Sequence, residues 1–309
     1  MSRTEPTFPL ISRRRGVGLT GGTRRSSHRG IGFEIASSRP YRRGDSVRAI
    51  DWKASARLSS ARESDDFVVR EHFAEDRPRV VVVVDRRPSM SLYPPELPWL
   101  HKPAAVAVAG RMIVESALAA QGLPGYLDLA DPLAPQWLAP HLRQNAARIR
   151  EHHLPHTDYT APADNLTRAV RHLARARGDM PPGTFVFVLS DFLAPPAPAV
   201  WRTAASLGWD VVPVIVQDPR WEQSFPAVSG FALPLAAPGD GALRLVRLTR
   251  REAAERREGN QQRLDGLLRT FAAVELDPIL LSSDDAAEIL SAFLRWHDRR
   301  QLRLRRRRA

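Results

Sequence analysis

The stretch from Arg79 to Ser91, RVVVVVDRRPSMS, decides the fold of this chain. Its run of valines has no polar alternation, which is typical of a strand buried on both faces at the centre of a parallel sheet. The run ends at Asp85, and in open α/β sheets ligands bind at the edge where strands end. Two interpretations stay open. The oxygens of Asp85, Ser89 and Ser91 suit a hard cation, or Asp85 and Ser89 hydrogen-bond the loop's own amides, as Asp and Ser do in turns.

Further apolar runs alternate with helical patterns along the chain. The run TFVFVLSD ends at Asp191 as the first ends at Asp85, and regular alternation of strand and helix favours a parallel sheet. The sequence predicts an α/β fold, a doubly wound and mainly parallel sheet with helices on both faces. It also predicts that Asp85 and Asp191 lie close together on neighbouring strands. The main segments are a helix over 102–120, strands over 184–191 and 211–216, a hairpin over 230–249, a helix over 250–271, a strand over 274–281 and a last helix to about 300.

Composition excludes several classes of protein. The chain has 309 residues, 43% of them hydrophobic, so it can bury a sizeable core. It has no cysteine, which excludes disulfides, thiolate metal sites and cysteine nucleophiles. No apolar run approaches the roughly 18 residues of a membrane span, and the N-terminus lacks the apolar core of a signal peptide. We therefore expect a cytoplasmic protein without a transmembrane segment.

The net charge of +12 is concentrated at one end. Seven arginines lie between Arg299 and Arg308, and without them the charge is 12 − 7 = +5. Such a tail can bind nucleic acid or anionic lipid, or it can be a solvated end without a specific role. The expected organisation is a flexible basic segment over 1–29, a β-rich appendage over 30–78, an α/β domain over 79–300 and an arginine-rich tail over 301–309.

The appendage carries a dense pattern of polar and aromatic residues. Its residues are Arg39, Tyr41, Gly44, Asp45, Arg48, Ile50, Asp51, Trp52, Ser55, Ala56 and Arg57. In this order they resemble the signature of domain-of-unknown-function family number 58, approximately R-x-Y-x-x-G-D-x-x-R-x-I-D-W-x-x-S-A-R. Arginine–carboxylate pairs around an apolar Trp52 favour a structural role for these residues, and a surface for docking a partner is the alternative.

The resemblance implies a von Willebrand factor A-like domain and a MoxR-type AAA+ ATPase as partner. In such domains a metal site combines an Asp-x-Ser-x-Ser loop, a threonine and a second aspartate. By this resemblance Asp85, Ser89 and Asp191 match site residues, and Arg87 replaces the first serine. Asp164 stands where the threonine would be, and Thr157 or Thr160 in the preceding loop is the alternative. Because a guanidinium cannot ligate a cation, we predict a degenerate site in which Arg87 pairs with Asp191 or Asp164. No cofactor is expected, and any binding of Mg²⁺ or Mn²⁺ should be weak.

Two functions stay open. The first is a non-enzymatic interaction module, an adaptor or co-chaperone that works with the MoxR-type ATPase on an unidentified client protein. The second is a metal-dependent hydrolase acting on phosphate-containing substrates, suggested by the arginine content. A hydrolase needs a base or nucleophile beside the metal. No predicted strand end carries a histidine and no phosphate-cradling glycine loop occurs, so the sequence favours the interaction module.

Overall fold

The computed structural model describes residues 6–11, 24–41, 50–62, 67–92, 99–131, 134–230, 232–236 and 243–306. The chain divides into two compact units. The α/β unit comprises Met1–Arg14 and Arg79–Ala309, and the signature unit comprises Arg15–Pro78.

The α/β unit is built on a six-stranded sheet in the order β10-β7-β6-β3-β4-β5. All pairings are parallel except that of the edge strand β5, which runs antiparallel to β4. The valine run is the central strand β3, and every valine in it is at most 2% exposed. The predicted fold class is confirmed. The strands are β3 (Arg79–Val84), β4 (Leu123–Asp128), β5 (Gln136–Leu138), β6 (Phe185–Ser190), β7 (Asp210–Val216) and β10 (Ile279–Leu281), with a separate antiparallel pair β8 (Ala232–Ala236) and β9 (Leu243–Arg247).

Helices cover both faces of this sheet. Because successive strand residues point to opposite faces, Val80, Val82 and Val84 pack with α2 and α7, whereas Val81 and Val83 pack with α4, α5 and α6. The helices are α2 (Lys102–Ala119), α3 (Asn145–Arg148), α4 (Asn165–Arg175), α5 (Pro198–Ser206), α6 (Arg250–Ala273) and α7 (Ala286–Arg306).

The strand order reverses between β3 and β6. From β3 the sheet grows outward through β4 in one direction and through β6, β7 and β10 in the other. Such a reversal opens a crevice at the carboxyl ends of the two strands, where open α/β sheets bind their ligands. Asp85 follows β3 and Asp191 follows β6, so both acids lie at this point of the sheet.

The N-terminal residues differ from the expectation of a flexible segment over 1–29. Phe8 is 3% exposed, and its ring stacks on Phe293 of α7 with centroids 4.2 Å apart. Its backbone N–H donates to the Ser116 hydroxyl at 3.0 Å. The expectation is wrong for residues 6–11, because the short run FPLI supplies apolar side chains that complete the core. Residues 24–29 also belong to a strand.

The arginine-rich C-terminus also differs from the expected tail. Helix α7 continues to Arg306, well past the predicted boundary at residue 300. Arg300 is 1% exposed and pairs with Asp210, and Arg303 pairs with Asp277. These carboxylates lie at the start of β7 and just before β10, where they form ion pairs with arginines of the last turns of α7. Within the described residues, no helix has both the length and the apolar character needed to cross a membrane.

The signature unit contains a long antiparallel pair and one helix. Strand β1 (Arg24–Pro40) pairs with β2 (Val68–Asp76), and the register shifts at several points along the pair. Helix α1 (Trp52–Arg62) lies between them in the sequence. The β-rich character predicted for this segment is therefore observed, together with a helix that was not predicted.

Candidate functional site

Asp85 and Asp191 meet beside each other at the carboxyl ends of β3 and β6. Both are fully buried, and Asp85 is tied to the neighbouring strand because its N–H donates to the Leu189 carbonyl at 2.9 Å. Nothing local brings residues so far apart in sequence together, so the parallel pairing of the two strands is what creates this cluster of charge.

Arg87 lies between the two carboxylates. Its Nε donates to both oxygens of Asp85, at 2.9 and 3.1 Å, and its Nη2 lies 2.6 Å from Asp85 Oδ2 and 3.6 Å from Asp191 Oδ1. The Arg87 N–H also donates to Asp85 Oδ1 at 3.0 Å, a turn that folds the side chain back onto its neighbour. The interpretation in which Asp85 accepts from a loop amide is therefore observed, and the same carboxylate also pairs with the guanidinium of Arg87.

A second cation, Lys102, completes the arrangement. Its Nζ lies 3.1 Å from Asp191 Oδ2 and 2.9 Å from the Ser89 carbonyl oxygen, and it also pairs with Glu222. Lys102 is 4% exposed at the first position of α2. Each oxygen of Asp191 therefore faces a positive charge supplied by the chain itself.

The electrostatics of this cluster follow from burial and mutual attraction. Burial by itself would lower the pKa of Lys102, but Asp191 and Glu222 outweigh it and raise that pKa. Burial would raise the pKa of Asp191, but Lys102 and Arg87 bring it below its usual value. Burial dominates at Glu222 and raises its pKa. The stable arrangement at neutral pH is thus an ionised Asp191 held between two cations.

Neutral polar side chains also donate to both oxygens of Asp85. Asn165 Nδ2 donates to Oδ1 at 2.9 Å, and the Ser190 hydroxyl donates to Oδ2 at 2.6 Å. Together with Arg87, these side chains give both oxygens of Asp85 a hydrogen-bond partner, and neither oxygen is exposed to solvent. The Ser89 hydroxyl helps to lower the pKa of Asp191.

Asp164 does not join the cluster predicted from the sequence. Its carboxylate is half exposed and pairs with Arg168 at 2.7 Å on the surface of α4. The next residue, Asn165, points inward and contacts Asp85, because adjacent residues at a helix start project about 100° apart. The structure thus brings together Asp85, Ser89 and Asp191, but not Asp164. Arg87 pairs with Asp85 and lies near Asp191, whereas Asp164 pairs with Arg168.

The donor set does not suit a metal ion. A hard cation needs several free oxygen ligands around one point, whereas the facing oxygens of Asp85 and Asp191 already hold Arg87 and Lys102. Among the described residues, no three His, Cys, Asp or Glu side chains gather in a way that would hold a metal.

Sequence reasoning missed Lys102, Glu222 and Asn165. Lys102 is one of only two lysines in the chain and precedes Pro103 at the start of an apolar helix. That position is a signal, because a lysine at the first turn of a buried helix must find a carboxylate. Glu222 and Asn165 carry no comparable signal.

The second arginine of the loop, Arg86, has a structural role. It is fully buried, and its guanidinium lies 3.3 Å from Asp128 and 2.9 Å from the Tyr126 hydroxyl. It also donates to the carbonyl of His153 at 2.6 Å. Arg86 thus ties the end of β3 to β4 and to the helical turn over 149–153.

In the signature unit, Asp51 and Ser55 have a structural role. Asp51 Oδ1 accepts from the Ala54 N–H at 3.0 Å at the start of α1. The Ser55 hydroxyl donates to the Asp51 carbonyl at 2.7 Å and accepts from the Val68 N–H at 2.9 Å, and Ser55 is 3% exposed. These bonds fix the helix to the first residue of β2.

The aromatic residues of the signature are exposed. Trp52 is 59% exposed, Tyr41 is 37% exposed, and both contact the edge or face of Phe67, which is 42% exposed. The sequence predicts an apolar Trp52 at the centre of a structural cluster, whereas its ring is more than half exposed at the start of α1. We call Tyr41, Trp52 and Phe67 the aromatic patch.

The other signature residues add little to this picture. Gly44, Asp45 and Arg48 lie outside the described residues, and Arg39 belongs to β1, where only the backbone is described. Arg57 is exposed on α1. The signature therefore divides into Asp51 and Ser55, which fix local structure, and an exposed pair, Tyr41 and Trp52, within the aromatic patch.

Comparison with known proteins identifies the family. The family model described as "Protein of unknown function DUF58" matches residues 37–263, which is most of the chain. The match runs from the signature unit through the α/β unit and includes Asp85, Arg87, Lys102 and Asp191. The chain belongs to this family.

Solved structures show similarities at low sequence identity. The conserved hypothetical protein BatB from Bacteroides thetaiotaomicron is 16% identical, with a TM-score of 0.42 over 70% of this chain and 95% of that chain. An aerotolerance-related membrane protein from Bacteroides fragilis, crystallised with multiple mutations to serines, is 15% identical, with a TM-score of 0.40 over 70% and 98%. Proximal thread matrix protein 1 from the mussel byssus is 11% identical, with a TM-score of 0.34 over 45% and 37%. No curated protein matches the sequence.

Proposed function

We propose that this chain is a non-enzymatic, von Willebrand A-like interaction module that acts in the cytoplasm with a MoxR-type AAA+ ATPase, as an adaptor or co-chaperone for a client protein. One observation carries this proposal. Arg87 and Lys102 pair with the carboxylates of Asp85 and Asp191 where the strand order reverses. A metal-dependent module or enzyme of this type would hold its cation at this point. Because these positive charges are part of the chain, the site does not need to bind a metal ion. It therefore has no metal with an open position for a substrate.

No specific observation favours the phosphate hydrolase. Its catalytic metal would need Asp85 and Asp191, but these side chains are fully buried and paired with the chain's own cations. Binding of nucleic acid or lipid through the C-terminal arginines has similarly little support, since Arg300 and Arg303 form ion pairs with Asp210 and Asp277.

The aromatic patch is the surface proposed for docking the ATPase. Contiguous exposed apolar patches often mark interaction sites, and Trp and Tyr are enriched among the residues that carry most of the binding energy of interfaces. Within the signature unit, the exposed aromatics Tyr41 and Trp52 belong to the signature, whereas Ser55 is buried and holds local structure. The two roles can therefore be separated by mutation.

Trp52→Ala is expected to abolish co-purification with the MoxR-type ATPase while changing the free energy of unfolding by less than about 1 kcal/mol, as exposed substitutions do. Ser55→Ala is the matched control, because it leaves the patch in place but removes a hydroxyl that satisfies the Val68 N–H. It should lower stability by about 1–3 kcal/mol and retain the ATPase at a temperature where the variant is folded. The measurements are thermal unfolding and pull-down of the ATPase from the same cell by tagged full-length chain.

Two further results would decide between the functions. Pull-down that survives EDTA supports metal-independent binding by the module. Hydrolysis of p-nitrophenyl phosphate by the wild type, dependent on Mg²⁺ or Mn²⁺ and lost in Asp85→Asn, would overturn the proposal in favour of the hydrolase.

A further inference from the structure

The outer edge of β10 opens into a groove of about 940 Å³ between α6 and α7. Its apolar lining comes from both helices and from the strand between them. Grooves of this size are typical of binding sites, and this one lies wholly within the α/β unit. The apolar lining residues are Leu268, Ala272, Leu276, Leu280, Ala292 and Leu304.

The strand in this groove presents an unused backbone edge. β10 is the last strand on its side of the sheet, and no described strand pairs with its outer edge. The Leu281 carbonyl accepts from the Gln217 N–H at 3.1 Å, on the β7 side. Because alternate residues of a strand direct their backbone groups to the same neighbour, Leu280 directs its N–H and C=O away from β7. These groups are a template for one more strand.

Two arginines of α7 line the groove without an acidic partner. Among the described residues, neither Arg295 nor Arg299 forms a salt bridge, whereas Arg303 pairs with Asp277. Arg299 donates to the Pro278 carbonyl at 3.3 Å, just before β10, and Arg295 lines the same groove as Ser282, which follows β10. Helix α7 therefore runs antiparallel to β10 and displays a row of positive charge along it.

The spacing of this row matches an extended chain. Residues four apart on a helix are about 6 Å apart along its axis, and residues two apart on a strand are about 6.6–6.8 Å apart. An added strand on β10 would thus place alternate side chains opposite Arg295 and Arg299. The side chains between them point to the other face of the sheet, where Leu268 and Ala272 of α6 lie.

We infer that this groove binds an extended acidic segment of a partner protein, which adds to β10 as a strand. Its glutamate or aspartate side chains, at every second position, pair with Arg295 and Arg299. Its intervening apolar side chains pack on Leu268 and Ala272 of α6. This second binding site goes beyond the proposed function, and its test does not involve the ATPase.

A peptide suits this groove better than a nucleic acid does. Single-stranded nucleic acids bind by stacking their bases on aromatic side chains, and none of the described residues that line the groove is aromatic. A free strand edge offers hydrogen bonds at the repeat of a peptide backbone. The two acidic lining residues, Glu275 and Asp277, precede β10, so they leave Arg295 and Arg299 as the positive stretch beside the strand.

The test is a titration of the full chain into a dye-labelled peptide of alternating glutamate and valine, followed by fluorescence anisotropy. We expect saturable binding that weakens as salt is added. The double variant Arg295→Gln/Arg299→Gln should weaken binding by about tenfold or more. Arg171→Gln, an exposed arginine of α4, is the matched control and should bind as the wild type does.

The backbone contact has its own test. Two further peptides carry N-methyl groups on every second amide, in the two alternative registers. Since an added strand uses only alternate amides on each edge, one peptide should bind and the other should not. The inference would be overturned if the two N-methylated peptides bound equally well or if the parent peptide did not bind. It would also be overturned if Arg171→Gln and the double variant lost the same amount of affinity for the parent peptide. Competition by a single-stranded oligonucleotide that binds more tightly than the peptide and loses affinity in the double variant would overturn it as well.

Discussion

Lys102→Met is expected to lower the free energy of unfolding by about 3–5 kcal/mol, because removing one partner of a buried ion pair leaves an uncompensated charge. Asp191 and Glu222 are both buried against the Lys102 ammonium. Methionine keeps most of the volume of the lysine stem, so the loss reports charge and not a cavity. Urea unfolding of the full chain measures it.

The matched control is Lys53→Met, since Lys53 is the only other lysine and is exposed on α1. This change should alter stability by no more than about 0.5 kcal/mol. Equal losses for the two variants would show that the ammonium of Lys102 does not hold the cluster together.

The effect of Lys102→Met should depend on pH. In the wild type, the pKa of Asp191 is lowered, so its contribution is present above the ordinary value of 3.8 and is lost as pH falls through the folded pKa. The pKa of Lys102 is raised, so its contribution is present below 10.5 and is lost only as pH rises through the folded pKa. Between these limits the pair is intact. Without Lys102, the carboxylates hold protons to higher pH, so the deficit of the variant should be larger at pH 8 than at pH 5.

The layered fold was predictable because its central strands correspond to uninterrupted apolar runs in the sequence. Val80–Val84 and the run ending at Asp191 have no polar face, and only the centre of a parallel sheet buries both faces of a strand. The N-terminal segment was not predicted, because a run as short as FPLI has no periodicity. Its burial depends on a gap beside Phe293 that only the folded chain defines.

The candidate site was predictable only in part. Asp85 and Asp191 were predicted because each follows an apolar run that reads as a strand. Arg87 was predicted because it stands where the resemblance implies a serine. Lys102 and Glu222 are brought in by helix packing and by a loop after β7, and no local pattern indicates that they meet. The exposure of Trp52 could not be predicted, because an apolar side chain in such a segment serves either as a packing anchor or as a surface contact.

Arg87→Ser restores the Asp-x-Ser-x-Ser pattern and is expected to convert an ion-paired site into one that binds a metal. Without metal the variant should lose about 3–5 kcal/mol, because Asp85 keeps its burial and loses its guanidinium. The vacated position is faced by oxygens of Asp85 and Asp191 and by the hydroxyl of Ser190. Millimolar Mg²⁺ or Mn²⁺ should raise the melting temperature of the variant by several degrees, as binding to the folded state alone does, and should leave the wild type unchanged.

The control variants separate charge from geometry in this experiment. Arg168→Ser removes an exposed arginine paired with Asp164 and should cost less than about 1 kcal/mol, with no response to metal. Arg87→Lys keeps the positive charge but loses the bidentate bonds to Asp85, so it should be less destabilised than Arg87→Ser and equally unresponsive to metal. A wild type stabilised by Mg²⁺ as strongly as Arg87→Ser would mean that the cation binds in spite of the guanidinium. Arg87 would then be a neighbour of the metal and not its replacement.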